Sequence, residues 1–239
     1  MIEQLKKHPF FSDKTIESCT LLEHQGYCNE NYLLVADGVK YIVRVFQEED
    51  IDRKLEFYFQ KLAYKQGISP EPLLLDELNS LMIMKFQEGK HKVSISISEL
   101  DIFIKTIKKL HSHDIDNDDN ITTALCRYEL VKNATQDVID ALDEIDCYAV
   151  NYVLCHNDLN AKNILWYDDK AMLLDFEYAA VNDCYFDLAS ISVEFSLSEA
   201  NDIHMLDVYF GDAFYDENKL DAYKVLYKAV CEEWFQKNL

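Results

Sequence analysis

Two short strings, HNDLNAKNIL from His156 and LLDFEY around Asp175, constrain this 239-residue chain more than any other feature. They place a carboxylate at Asp158, an amide five residues later at Asn163 and a second carboxylate twelve residues after that at Asp175. Apolar residues on either side of a YDDK turn predict two short strands, with Asn163 and Asp175 at the same end of a hairpin. The pattern therefore predicts that three oxygen-bearing side chains converge on one rigid segment.

Transfer of a phosphoryl group from ATP to a hydroxyl needs side chains of this kind, because the protein positions the partners and neutralises charge without forming bonds itself. Asp158 is the candidate base for the acceptor hydroxyl. Asn163 and Asp175 are candidate ligands of Mg²⁺, which prefers oxygen donors. His156 belongs to the same catalytic loop, in a supporting role. Each residue alone has an ordinary structural explanation, and only the combination favours catalysis.

The combined pattern resembles the catalytic loop and metal-binding segment of the choline/ethanolamine kinase family, within the aminoglycoside-phosphotransferase-like group of kinase folds. Protein kinases usually carry Arg after the His and Gly after the second Asp, whereas the strings here are HND and DFE. Asp187 and Glu194 follow Asp175 by twelve and nineteen residues. This is similar to the family's spacing for a structural Asp and for an acid that faces the cationic head of the substrate. The resemblance covers about residues 20 to 235 and implies an ATP- and Mg²⁺-dependent kinase.

The N-terminal part of the chain offers independent support for a nucleotide site. The string QGYCNENY, residues 25–32, predicts a turn that enters a strand, and it resembles the family's GxxNxxY loop. This turn would cover the nucleotide phosphates, with Gly26 and Asn29 as contacts. A single glycine is weak evidence by itself, since glycine in a turn usually serves backbone geometry alone.

A cation and a helix acid complete the predicted nucleotide side. Arg44 lies in a predicted strand that resembles the family's VR(V/I) strand, and its planar, always-charged fork can grip phosphate oxygens. An apolar face predicts a helix over about residues 52–66, where Glu56 is the expected partner of Arg44. A further strand at 81–84 leads to Met84 and Phe86, near which we expect the adenine base.

These elements together predict an α+β, bilobal protein-kinase-like fold. The small N-terminal antiparallel β lobe, with one main helix, is expected over residues 1–88, with a hinge near 84–89. A larger, mainly helical C-terminal lobe that carries the catalytic and substrate residues is expected over 89–239. Helices are predicted within 99–110, 127–145 and 220–237.

The formal net charge of −21 argues against nucleic acid or anionic membrane as a partner, because both would be repelled. It favours instead a cationic acceptor, which the family resemblance implies is a small amino alcohol. The seven cysteines form no CxxC pair, which favours reduced thiols over disulfides or zinc. Without an apolar run long enough to span a bilayer or a signal-peptide core, the expected location is cytoplasmic.

The residues that would receive an ammonium head are drawn from one acid and several aromatic side chains. A quaternary ammonium needs aromatic faces and a carboxylate, whereas a primary ammonium also needs oxygen acceptors. The candidates are Glu194, Tyr178, Tyr185, Phe195, Tyr227 and Trp234. Choline kinases typically place two tryptophans three residues apart on a C-terminal helix, but Trp234 has Cys231 and Lys237 at those offsets. The choice between choline and ethanolamine therefore stays open.

Two other functions remain compatible with the sequence. The catalytic residues are shared by kinases of other cationic metabolites, such as an aminoglycoside or thiamine. A non-catalytic nucleotide-binding pseudokinase is the second alternative, against which the intact Asp158, Asn163 and Asp175 argue.

Overall fold

The computed structural model describes residues 2–23, 29–47, 51–118 and 134–238. The strands are β1 (Ile16–Leu21), β2 (Asn29–Ala36), β3 (Val39–Phe46), β4 (Pro72–Asp76), β5 (Leu81–Lys85), β6 (Tyr152–Cys155), β7 (Ile164–Tyr167), β8 (Lys170–Leu173) and β9 (Ala180–Asp183). The helices are α1 (Ile2–Leu5), α2 (Arg53–Lys65), α3 (Ile97–His111), α4 (Gln136–Ile145), α5 (Cys184–Glu194), α6 (Glu199–Phe210) and α7 (Glu217–Asn238). The chain divides into two compact units, Met1–Glu88 and Gly89–Leu239.

The first unit is built on a five-stranded antiparallel sheet in the order β1-β2-β3-β5-β4. Asp37 and Gly38 both have positive φ, as a two-residue hairpin turn requires, and they join β2 to β3. One face of the sheet packs against the N-terminal segment. The buried cluster consists of Leu5, Phe11, Leu34, Ala36, Tyr41, Val43, Leu81 and Ile83.

Helix α2 begins where Asp52 accepts hydrogen bonds from the backbone amides of Lys54 and Leu55. Phe59 and Ala63 lie on its buried face, and the helix packs against β4. Gly67, with a φ of +73°, follows the end of the helix, which is the position where glycine is favoured. The helix therefore begins and ends close to the bounds predicted from sequence.

The second unit is mainly helical. Helix α7 packs against α4 and α5, and α3 packs against α6. Two small antiparallel pairs, β6 with β9 and β7 with β8, carry the segments on either side of the strings HND and DFE. Gly89 begins this unit, and a Cβ at that position would lie 2.8 Å from the main-chain oxygen of Trp166, so the close approach requires glycine.

The described helices include none with the length and apolar character that a membrane span requires. The helix predicted over 127–145 is present as α4 from Gln136, and residues 119–133 lie outside the described part of the chain. Strand β1 was not predicted, because its burial pattern shows no alternation for a sequence pattern to detect.

Candidate active site

Asp158 and Asn163 are in direct contact at the start of the β7–β8 hairpin. Asn163 Nδ2 donates to Asp158 Oδ2 at 2.8 Å and to the Asp158 carbonyl oxygen at 3.0 Å. Asn160 Nδ2 donates to the other carboxylate oxygen, Oδ1, at 3.1 Å. Asp158 is partly exposed, whereas Asn163 is buried. Amide donors on both oxygens thus hold the candidate base in one orientation.

The loop that carries Asp158 is fixed by the buried carboxylate of Asp187. Asp187 Oδ2 accepts the backbone N–H of His156 at 2.8 Å, and Oδ1 accepts that of Asn157 at 2.8 Å. His111 Nε2 also donates to Oδ2, at 3.0 Å, and its Nδ1 lies 2.8 Å from the Tyr209 hydroxyl. Burial by itself raises the pKa of Asp187, but the hydrogen bond and charge of His111 and the His156 contacts outweigh it, so the net pKa is lowered.

Asn157, directly before the candidate base, is held in a left-handed backbone conformation with a φ of +63°. Its Nδ2 donates to the carbonyl oxygen of Tyr178 at 3.0 Å, and its Oδ1 accepts from Asn182 Nδ2 at 3.0 Å. Such a conformation is costly for a residue other than glycine and persists only where surrounding contacts enforce it. The side-chain contacts of Asn157 supply that constraint and so fix the backbone immediately before Asp158.

Asp175 follows the hairpin and is tied to the same loop through its neighbour Leu174. The Leu174 amide donates to the Asn163 carbonyl at 2.8 Å, and His156 Nε2 donates to the Leu174 carbonyl at 2.9 Å. Asp175 itself has a φ of +64° and is partly exposed. His156 is fully buried, and its hydrogen bond to Leu174 links the loop to the segment before Asp175.

Asn163 and Asp175 fit a divalent cation by the chemistry of their donors. The Asn163 amide nitrogen points at Asp158, so the side-chain carbonyl oxygen points the other way and remains as a hard donor. Asp175 supplies a carboxylate from the residue after Leu174, whose amide binds Asn163. These are the two residues that would hold Mg²⁺.

Glu194 lies at the end of α5, and the charge of Asp158 acts on its carboxyl group. Burial raises the pKa of the Glu194 carboxyl, the hydrogen bond from Tyr227 lowers it, and the charge of Asp158 raises it, with a raised pKa as the net result. The Tyr227 hydroxyl donates to Glu194 Oε1 at 2.9 Å. A second carboxylate is thus held close enough to the candidate base for their charges to interact.

Tyr178 and Trp234 connect α7 to the catalytic loop. Trp234 Nε1 donates to the Tyr178 hydroxyl at 3.2 Å, while the Tyr178 carbonyl accepts from Asn157. Both side chains are partly exposed, as residues that meet a ligand must be. The structure therefore joins two of the predicted aromatic residues to each other and to the residue next to Asp158.

Tyr185 and Phe195 have the surroundings of core residues. Tyr185 is 2% exposed, and its hydroxyl accepts the backbone amide of Asp216 at 3.0 Å. Its ring stacks on Tyr223 and lies under the ammonium of Lys219. Phe195 is also buried. These contacts favour packing over substrate contact, and they correct the expectation that Tyr185 receives the ammonium head.

In the first unit, Arg44 and Glu56 form a buried ion pair. Arg44 Nη1 lies 2.9 Å from Glu56 Oε1, and Arg44 Nε donates to Asn31 Oδ1 at 3.2 Å. Arg53 Nη1 lies 2.7 Å from the other oxygen, Oε2. Sequence reasoning expected the pair of Arg44 and Glu56 but gave no role to Arg53, although its position three residues before Glu56 on a helix was a usable signal.

The segment near Met84 and Phe86, which is expected to contact adenine, forms hydrogen bonds within the sheet. The backbone amides of Lys85 and Phe86 donate to the carbonyls of Glu71 and Lys40. The Met84 side chain is buried, and its sulfur accepts from the amide of Gln60 at 3.1 Å. Met84 also pairs with Ile42 of β3 and with Pro72 of β4, so its backbone lies within the sheet and not at a free edge.

The other nucleotide-side expectations are Phe86, Asn29 and Gly26. Phe86 is partly exposed, with the Lys40 ammonium 5.0 Å from its ring centre. Asn29 begins β2 and is buried. Gly26 lies outside the described residues.

The chain resembles known proteins in sequence and in fold. Residues 20–223 match the phosphotransferase enzyme family. Two Haemophilus influenzae proteins named LicA are each 26% identical to this chain, over 77% and 76% of its length. The chain spans 60% of the length of the first relative and 76% of the second.

Solved structures show the fold. The crystal structure of choline kinase LicA from Streptococcus pneumoniae matches with a TM-score of 0.81 at 21% identity, covering 98% of this chain and 89% of that one. A spectinomycin phosphotransferase in complex with ADP and spectinomycin matches with a TM-score of 0.72 at 12% identity, covering 100% of this chain and 88% of that one. The predicted α+β, protein-kinase-like fold is confirmed.

Proposed function

The chain belongs to the phosphotransferase enzyme family, and on that premise we propose that it transfers the terminal phosphoryl group of ATP to the hydroxyl of choline or a closely related amino alcohol, giving a phosphorylated amino alcohol and ADP. One observation carries the choice of acceptor. Trp234 donates to the Tyr178 hydroxyl at 3.2 Å and Tyr178 accepts from Asn157, so two aromatic rings suited to an ammonium group are tied to the residue before the candidate base.

The roles of the chain's residues follow from their contacts. Asp158, fixed by Asn160 and Asn163, would accept the hydrogen bond of the acceptor hydroxyl and take its proton as the phosphoryl group arrives. Asn163 and Asp175 would hold Mg²⁺, which supplies positive charge against the phosphate oxygens when bound. Arg44, with Glu56 as its partner, would bind phosphate oxygens through its guanidinium.

The cationic head of the acceptor would meet Glu194 and aromatic faces. Glu194 supplies the negative charge, and Tyr227 keeps one of its oxygens in place. Tyr178 and Trp234 offer ring surfaces whose electron-rich faces attract a quaternary ammonium. A hydroxyl about two carbons from the nitrogen would then extend toward Asp158. The strong negative charge of the chain also favours a cationic substrate over an anionic one.

ADP release with a panel of acceptors tests this proposal. The panel contains choline, ethanolamine, their partly methylated intermediates, thiamine and spectinomycin, each assayed with ATP and Mg²⁺. We expect the highest kcat/KM for choline or ethanolamine. A large preference for spectinomycin would overturn the acceptor assignment in favour of the aminoglycoside alternative, which the similarity to spectinomycin phosphotransferase supports at the level of fold.

A matched pair of variants separates choline from ethanolamine. Trp234→Leu removes an aromatic face beside Tyr178, whereas Phe235→Leu changes the next, exposed ring. If choline is the acceptor, Trp234→Leu should raise the KM for choline. The Phe235→Leu enzyme should keep the wild-type KM. Equal behaviour of both variants would remove Trp234 from the site. No turnover with any alcohol, despite ATP binding, would identify a pseudokinase instead.

A further inference from the structure

We propose that Arg53 is a positioning residue of the nucleotide site, which joins the start of β2 to the ion pair of Arg44 and Glu56 and thereby strengthens binding of the ATP phosphates. The inference rests on the proposed use of ATP, and no part of it depends on which alcohol is the acceptor. It concerns the first unit alone.

The geometry of Glu56 shows how Arg53 could act through it. The carboxylate is 1% exposed, and each of its oxygens is bound by a different arginine, Oε1 by Arg44 at 2.9 Å and Oε2 by Arg53 at 2.7 Å. A carboxylate held at one oxygen can turn about its side-chain torsions, whereas one held at both is fixed. Arg53 therefore fixes the carboxylate of Glu56 and, through it, the position of the Arg44 guanidinium.

Arg53 also reaches the strand that follows the predicted phosphate-covering turn. Its Nη2 donates to Asn29 Oδ1 at 3.3 Å, and Asn29 is the first residue of β2. Its guanidinium lies 4.2 Å from the ring centre of Phe46, the residue that pairs with Asn29 across β2 and β3. One planar side chain thus connects the start of β2, the end of β3 and helix α2.

The place of Arg53 on its helix is unfavourable for a cation by itself. It is the first residue of α2, where the helix dipole favours a negative charge, and it is 8% exposed. Arginine keeps its charge at physiological pH. A buried guanidinium at this position needs contacts that hold it, such as those with Glu56, Asn29 and Phe46.

Titration calorimetry with ATP and with adenosine, each in the presence of Mg²⁺, tests the inference without any turnover. Arg53→Met keeps most of the side-chain length but removes the guanidinium. We expect it to weaken ATP binding on the order of tenfold or more and to leave adenosine binding unchanged, because only the phosphates depend on the trio.

Lys54→Met is the matched control. Lys54 is the next residue on the same helix, is largely exposed and pairs with Glu77. Its loss should leave ATP affinity unchanged. An unchanged ATP affinity in Arg53→Met would overturn the inference, and so would an equal loss of ATP and adenosine affinity, which would show that the residue serves only the fold of the first unit.

Arg53→Lys separates charge from connection. Lysine keeps the positive charge but has no fork that can bind Glu56 and Asn29 together. We expect it to remain folded and to show weakened ATP binding, and full wild-type affinity would contradict the positioning role. If the wild type binds ATP but phosphorylates no amino alcohol, the proposed function fails while the inference on Arg53 is still decided by these affinities.

Discussion

The side-chain amide of Asn163 donates to Asp158 twice, at 2.8 Å to the carboxylate and at 3.0 Å to the main-chain carbonyl. One asparagine is therefore a hydrogen-bond donor to the candidate base and, through its opposite face, a candidate ligand of the metal. Any movement of Asn163 would change the hydrogen bonds that orient Asp158. This contact couples the two functions more closely than their spacing in the sequence reveals.

Replacing Asp158 by Asn should leave ATP binding nearly intact but lower kcat on the order of 10²–10⁴-fold, because the amide cannot take the proton of the acceptor hydroxyl. ADP release and ATP titration measure the two quantities. Asp168→Asn, in the exposed turn of the same hairpin, is the control and should keep wild-type kcat. An unchanged rate in Asp158→Asn would remove this residue from the mechanism.

The pH dependence of acceptor binding should reflect the protonation of the Glu194 carboxyl. Because burial and the charge of Asp158 raise its pKa above the usual 4.5, the carboxyl takes up a proton at a higher pH than an ordinary glutamate. A protonated Glu194 no longer attracts a cation, so the KM for the amino alcohol should rise as the pH falls toward that raised pKa. Initial rates from pH 8 to 5 measure this rise.

Glu194→Gln supplies the comparison for that profile. It should show a KM already raised on the order of tenfold at pH 8, with little further change as the pH falls. Glu199→Gln, an exposed acid in the first turn of α6, should retain the wild-type profile. A wild-type KM profile in Glu194→Gln would show that the ammonium is bound elsewhere.

Asp187 should make the free energy of unfolding depend on pH in the acid range. Although burial opposes it, the net pKa of Asp187 lies below its ordinary value of 3.8, so between the two values the unfolded chain binds more protons than the folded one. The stability contributed by Asp187 is complete above about pH 4 and is lost as the pH falls below it. Urea unfolding of the wild type should therefore show a decline from pH 4 downward.

Asp187→Asn should have a flatter decline in the same range. At pH 7 this variant should also lose about 2 kcal/mol or more of unfolding free energy, because a charged acceptor of three N–H groups is replaced by an amide. Asp169→Asn, in the exposed hairpin turn, should behave as the wild type does. Identical acid profiles for wild type and Asp187→Asn would contradict the assigned pKa direction.

Lys219 and Asp183 form a buried ion pair whose disruption should be costly. Lys219 Nζ lies 2.7 Å from Asp183 Oδ2 and donates to the Ala149 carbonyl at 2.8 Å, and both side chains are at most 4% exposed. Lys219→Met leaves the Asp183 charge buried without its partner, which should cost about 3–5 kcal/mol of unfolding free energy.

Denaturant unfolding of Lys219→Met and Lys6→Met makes the comparison. Lys6 pairs with Glu3 at 2.8 Å, but the two side chains are 50% and 79% exposed, so its loss should cost less than about 1 kcal/mol. Equal costs for the two variants would mean that burial does not determine the strength of these pairs.

Local patterns were sufficient to predict the elements that carry the candidate site. The hairpin expected between residues 163 and 174 is present as β7 and β8, and the helix expected over 52–66 is present as α2. Both depend on neighbouring residues alone, since turn residues and the spacing of apolar side chains define them. The ion pair of Arg44 and Glu56 joins the adjacent elements β3 and α2, which is why it too could be expected.

Contacts between distant segments could not be read from the sequence. Tyr227 and Glu194 are 33 residues apart, and His111 and Asp187 are 76 apart. Each pair meets only after helices have packed, and no local pattern fixes which faces meet. Tyr185 shows the same limit, because an aromatic residue near a motif has the same local signal whether it lines a site or fills the core.

Glu194 lies on α5 and Trp234 on α7, whereas Asn163 and Asp175 flank the β7–β8 hairpin. Under the proposed assignment, substitutions in the two helices would alter which metabolite is accepted, while the residues that serve the phosphate chemistry would stay unchanged. A laboratory that sought a kinase for a new amine could randomise the helix positions and leave the hairpin sequence as it stands.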